Sequence, residues 1–142
     1  MGITLVRVPV DELEAFTLSA FKAMGVPDDE AQMCTTGLMQ SELRTLPGQG
    51  QGVRRLPAYH KRISSGWIIP GAKFEIVKES PALALIDAHN GLGSPVAQKA
   101  MDVAIEKAKI SGVGTAVVRN STHYGSSAVP ARRALAHDCI GI

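Results

Sequence analysis

Apolar residues recur at Leu13, Phe16, Ala20 and Met24, the spacing of one helix face. Asp11 precedes the run with Glu14 three positions on, so a capping-box start is expected. Gly25, with Pro27 beyond it, supplies the stop. A second helix is predicted from Asp28 or Asp29 to about Arg44, with Glu30 at its positive end and Ala31, Cys34 and Leu38 forming its inward stripe. After a glycine-rich interruption, Val53 to Ile63 reads as a short helix with Leu56, Tyr59, His60 and Ile63 close to one face. Gly66 to Gly71 reads as a turn, and Lys73 to Lys78 alternates apolar and polar in the manner of a strand.

The pattern then changes. Ala82 to Asp87 is a continuous apolar run, read as a buried strand. Ser94 and Pro95 suit a helix start, and Val96, Ala100, Val103 and Ala104 mark that helix's inward face until Gly112. Val113 to Val118 is a second apolar run, rich in β-branched residues and expected to be a strand buried on both faces. Strand, helix and strand in this order predict a β-α-β crossover with parallel strands. Ala128 to His137 reads as helical, with Pro130 tolerable in its first turn and His137 at its C-terminal end. Cys139 to Ile142 reads as the start of a further strand, which suggests the front portion of a longer protein. The expected fold is therefore α/β: a helical N-terminal segment over residues 1–70 and the first part of an α/β domain over 71–142.

Composition narrows the function classes without choosing one. The 142 residues are 45% hydrophobic and 20% charged, with a net charge of +2. Arg54, Arg55, Lys61 and Arg62 form the one basic concentration, too short for a nucleic-acid footprint. No apolar run is long enough to span a bilayer, and the N-terminus lacks a signal-peptide pattern. Cys34 and Cys139 sit in apolar contexts without metal-ligand spacing and read as buried, reduced thiols. These features point to a cytoplasmic protein that binds neither nucleic acid nor membrane.

The candidate chemistry lies where the pattern breaks. Thr45-Leu46-Pro47-Gly48-Gln49-Gly50-Gln51-Gly52 disfavours regular structure and lets a ligand approach the backbone, although a plain connector explains it equally well. It matches neither usual phosphate-cradling loop. Arg55 and Tyr59, four apart, can both point toward this run. His60 beside them reads as a solvated or capping histidine rather than a catalytic one. Downstream, Val113–Val118 breaks into Arg119-Asn120-Ser121-Thr122-His123-Tyr124-Gly125, placing one imidazole at a strand end, where α/β folds often carry function. An arginine can bind a carboxylate in bidentate fashion, a tyrosine can hydrogen-bond the same anion, and a histidine can exchange a proton with a carbinol oxygen. On the residues alone, a structural role for His123 stays open.

The run from Asp87 to Gly125, D-A-H-N-G-L-G-S-P-V-A-Q-K-A-M-D-V-A-I-E-K-A-K-I-S-G-V-G-T-A-V-V-R-N-S-T-H-Y-G, resembles the malate/L-lactate dehydrogenase family of the non-Rossmann type. Relatives in that family include ureidoglycolate, sulfolactate and diketogulonate oxidoreductases and cyclic-imine carboxylate reductases. The earlier S-E-L-R and G-V-R-R-L-P-A-Y-H-K-R-I-S-S-G match the same family in the same order. The resemblance implies a malate/L-lactate dehydrogenase-like non-Rossmann fold, here truncated. It also implies NAD- or NADP-dependent interconversion of a 2-oxo and a 2-hydroxy acid by a homodimer.

Residue by residue, the proton-exchanging histidine of N-S-x-H-[FY]-G falls on His123, the carboxylate-binding arginine on Arg55 and the tyrosine after it on Tyr59. Ser121 and Gly125 fall where nicotinamide contacts are expected, with further cofactor contacts outside this chain. Where the family reads R-G-x-x-S-H-G, this chain has a longer run in which Gln51 replaces the histidine and Gly50 the serine. An amide can orient a substrate oxygen but cannot act as an acid near neutral pH. His123 alone then carries the proton, or the substrate differs, or the chain is a catalytically silent, dimerising scaffold.

Overall fold

The computed structural model describes residues 6–44 and 52–142. Helix α1 (Val10–Ala23) follows Pro9, and Asp11 lies inside its first turn. No side-chain cap forms there, so the expected capping box is replaced by the favourable charge of Asp11 and Glu12 near the helix N-terminus. The buried line is Thr17 and Phe21, with Leu13, Ala20 and Met24 half-buried beside it. Thr17 can occupy an interior position because its hydroxyl donates to the Leu13 carbonyl at 2.7 Å. Phe16, expected inward, is 61% exposed, because the packed face lies one residue further round.

Helix α2 (Asp28–Leu43) buries Ala31, Cys34 and Leu38 as the spacing predicts. The expected single helix over Val53–Ile63 is divided into a 3-10 turn (Gly52–Arg55) and α3 (Leu56–Ser64). Pro57 explains the division, since it has no N–H to continue an α-helical ladder back through the turn. His60 is exposed, while Leu56 and Tyr59 are buried. Phe21, Cys34, Leu38, Leu56 and Tyr59 join Ile68 and Leu92 in one apolar core.

Strands β1 (Glu75–Glu79), β2 (Leu83–Gly91) and β3 (Thr115–Ser121) form a mixed sheet in the order β1-β2-β3. The β1/β2 pair is antiparallel and β2/β3 parallel. Helix α4 (Gly93–Ser111) makes the crossover between β2 and β3 and ends at Gly112, whose φ of 78° favours glycine. Ser94, expected to cap this helix, lies within its first turn instead. Its hydroxyl bonds at a long 3.4 Å to the Met33 carbonyl, and Gln98 Nε2 donates to the same carbonyl at 3.2 Å, tying α4 to α2.

Ala84, Ile86 and Ala100 form a second, smaller core, against which Ala116 and Val118 pack. The expectation that β3 is buried on both faces is corrected: Thr115, Val117 and Arg119 are exposed, because α4 covers one face and no described residue covers the other. After β3 come α5 (Ala128–Ala131) and a 3-10 turn (Arg132–His137). Residues 139–142 form no strand, since they have no ladder partner among the described residues. Cys139 is only half-buried, unlike Cys34, and both are free thiols. No described helix is long and apolar enough to cross a membrane.

Candidate active site

The end of α2 prepares the site's first side. Glu42 accepts a hydrogen bond from the Val53 N–H at 2.9 Å, which fixes the start of the 3-10 turn carrying Arg55. Tyr59, one turn into α3, is 7% exposed and packs edge-on against Phe21 with ring centroids 5.4 Å apart. Burial is the main cause that pushes its phenol up to about 12, with Cys34 adding to the rise and Arg55 and Arg62 opposing it. The phenol therefore stays neutral and keeps its O–H to donate. Arg55 is half-buried and enters no ion pair among the described residues.

The second side comes from the loop after β3. Asp87, on β2, is buried and holds the base of this loop. Its carboxylate accepts from the His89 backbone N–H at 3.0 Å, from Asn120 Nδ2 at 3.0 and 2.9 Å, and from Arg119 Nε at 2.9 Å. These donors, the His89 N–H first, hold the carboxyl down at about 2. Asn120, at φ 50°, turns the chain from the strand toward His123.

Arg55, Tyr59 and His123 line one cleft, together with Tyr124 and Gly125. Its enclosed space is about 20 Å³, the room one water needs. Only the end of a small molecule fits inside, with the remainder on the open side. His123 is exposed, yet its pKa lies below the ordinary histidine value, through partial loss of water and then the charges of Arg55 and Arg62. The cleft thus brings a cation and a neutral phenol donor on one side to a readily deprotonated imidazole on the other.

Gly125, at φ 85°, has no atom within 4 Å of where a Cβ would stand, leaving open space beside the imidazole. Ser121 ends β3, exposed, and does not line the cleft. Gln51 lies outside the described residues, as does the rest of 45–51. The sequence reading missed the wall supplied by α2, where Cys34, Gly37 and Ser41 reach the cleft at helical spacing, and it missed Ser94. The small residues Gly37 and Ser41 on an otherwise apolar stripe were the available signal. Arg62, one of several basic residues in the sequence, has its guanidinium 5.2 Å from the Trp67 ring, and its charge adds to that of Arg55 in lowering the His123 pKa, after the loss of water.

Residues 8–142 match the family model for malate/L-lactate dehydrogenases. The chain belongs to that family. It is 39% identical to the malate dehydrogenase of Pyrococcus abyssi over 137 residues, which cover 96% of this chain and 37% of the relative. It is 38% identical to the L-sulfolactate dehydrogenase of Methanocaldococcus jannaschii over 125 residues, covering 88% of this chain and 36% of that protein. The solved malate dehydrogenase of Pyrococcus horikoshii superposes with a TM-score of 0.86 at 37% identity, covering 91% of this chain and 36% of that one. The mixed α/β arrangement of these family members is therefore the fold of this chain, which spans little more than a third of the relatives' length.

Proposed function

We propose that this chain forms the substrate-binding and proton-exchanging part of an oxidoreductase that interconverts a 2-oxo acid and its 2-hydroxy acid with NAD or NADP. The observation that carries this reading is the meeting of Arg55 and His123 at one small cleft. The Arg55 guanidinium receives the substrate carboxylate in bidentate fashion, and the Tyr59 hydroxyl donates to the same anion. In the reducing direction C2 gains a hydride, and the carbonyl oxygen gains the proton that imidazolium His123 releases. In the oxidising direction neutral His123 takes the proton back from the hydroxyl. Gln51 orients the reacting oxygen.

Charge makes the two sides cooperate. Partial loss of water and then the charge of Arg55 disfavour protonation of His123. A bound carboxylate neutralises that cation and raises the imidazole pKa, so substrate binding loads the proton carrier.

The described side chains offer a proton and an anion anchor but no source of two electrons, so the chemistry needs a hydride donor. A nicotinamide supplies that hydride when bound. The open space at Gly125 fits the approach of a flat ring, and Ser121 and Gly125 are the residues of this chain that would contact it. Relatives named for malate and sulfolactate favour a substrate with a second anionic group. Phe16 and Leu43, exposed on the helical hairpin, support a homodimer, which sedimentation of the purified protein would test.

The activity test is oxidation of NADH and of NADPH by the purified product of the full reading frame. The panel contains oxaloacetate, sulfopyruvate, pyruvate and a cyclic-imine carboxylate. Turnover of at least one 2-oxo acid is expected. Absence of turnover across the panel with both cofactors would favour the silent scaffold.

A further inference from the structure

His123 makes no side-chain hydrogen bond among the described residues, in contrast to the many catalytic imidazoles oriented by a carboxylate on the second ring nitrogen. Among the described residues, it is the backbone around His123 that is held. Two contacts hold that backbone against the turn between β2 and α4. The Thr122 hydroxyl donates to the Gly91 carbonyl at 3.0 Å and accepts from the Gly93 N–H at 3.0 Å. One hydroxyl thus bridges segments about thirty positions apart in sequence, using both its donor and an acceptor site.

At Gly93, a Cβ would stand 2.2 Å from the Thr122 carbonyl oxygen and 2.6 Å from the His123 carbonyl carbon and oxygen. These are backbone atoms and cannot swing aside as the end of a flexible side chain can. Any larger residue would push the peptide carrying His123 outward.

Resting on the functional reading above, we propose that Thr122 and Gly93 are positioning residues that aim the His123 imidazole into the cleft from behind, through a backbone clamp. The hydroxyl sets the height of the loop, and the missing Cβ lets it sit down on the helix start. Neither residue lines the cleft, so the clamp governs proton exchange and touches anion binding only through the charge state of His123.

The test uses Thr122→Val, which keeps shape and removes the hydroxyl, Thr122→Ser, which keeps the hydroxyl, and His123→Ala as reference. Thr122→Val is expected to lower kcat about tenfold to a hundredfold, as sub-ångström to ångström misplacement of a reacting group does. KM and the affinity for the unreactive anion oxamate should change far less than kcat. Thr122→Ser should restore kcat to within about twofold of the parent, and Gly93→Ala should act like Thr122→Val. The His123 imidazole, titrated by NMR without substrate, should move up toward the ordinary histidine pKa in Thr122→Val as the ring regains water and leaves the Arg55 field.

Equal kcat losses in Thr122→Ser and Thr122→Val would overturn the clamp, and so would a Thr122→Val protein with parental kcat and titration. The serine variant keeps the hydroxyl, so its kcat decides the matter even if the valine variant fails to fold. If His123→Ala itself turns over normally, the functional reading fails instead, a result separable from failure of the clamp.

Discussion

The two sides of the cleft are built by different means. On the Arg55 side, position follows from side-chain packing: Tyr59 is wedged against Phe21 in the larger core, and Glu42 pins the turn that carries Arg55. On the His123 side, the catalytic candidate is exposed and lies beyond the smaller core of Ala84, Ile86 and Ala100. There, position follows from polar side chains, with Arg119 and Asn120 donating to Asp87 and the Thr122 hydroxyl bridging Gly91 and Gly93, and from the tight approach at Gly93. The contrast fits the division of labour. An anion anchor profits from rigidity and partial burial, which strengthen its charge interaction, whereas a proton carrier must reach water and substrate by turns. It also means that the two sides should fail in different ways.

The largest effect is expected from His123→Ala, which should lower kcat by about a hundredfold to ten-thousandfold, the usual contribution of a general acid or base. Steady-state kinetics at several pH values would measure it. Next, Phe21→Ala removes a fully buried ring and should destabilise the protein by about 3–5 kcal/mol, read by urea unfolding. Because Tyr59 loses its edge-on neighbour, the protein that remains folded should bind oxamate more weakly. An unchanged oxamate affinity would break the link between the large core and the anchor. Arg55→Ala should then raise KM by the equivalent of about 2–4 kcal/mol, as loss of a partly desolvated charge partner does, with a smaller change in kcat. A matching loss in kcat alone would mean that the two sides do not divide the work.

The smallest effect concerns Asp87 and appears only in acid. Its carboxyl is held at about 2 in the folded protein, against about 3.9 in an unfolded chain. Its contribution to stability is therefore complete above the unfolded value and is lost as the pH falls from about 4 toward 2. Thermal unfolding across that window should show a steeper fall in Tm for the parent than for Asp87→Asn. Parallel curves would show that Asp87 does not hold the His123 loop through its charge.

Much of the scaffold was legible because it follows local periodicity. The Ala31, Cys34 and Leu38 stripe, the stop at Gly112 and the parallel β2/β3 pair across α4 all agree with the pattern of apolar positions. Errors arose where a side chain answers to a distant partner. Ser94 has the composition of a cap but turns toward α2, and Thr17 lies inside where Phe16 is expected, its hydroxyl satisfied by its own helix. Val113 to Val118 reads as doubly buried from its apolarity alone, yet burial depends on what else lies over the sheet. The pairing of Arg55 with His123 across 68 positions carries no local signal, and only the family resemblance placed both residues at one substrate. The α2 wall and the reach of Arg62 follow from how α2, α3 and α4 pack, which no spacing rule contains.

The central claim, that one small anion lies between Arg55 and His123, is tested most directly by following the His123 imidazole through its titration by NMR while oxamate is added. In the free protein its pKa should lie below the ordinary histidine value, and saturating oxamate should raise it. In Arg55→Ala the imidazole should begin nearer the ordinary value and respond little to the anion. An imidazole titration that ignores both oxamate and the loss of Arg55 would contradict the account.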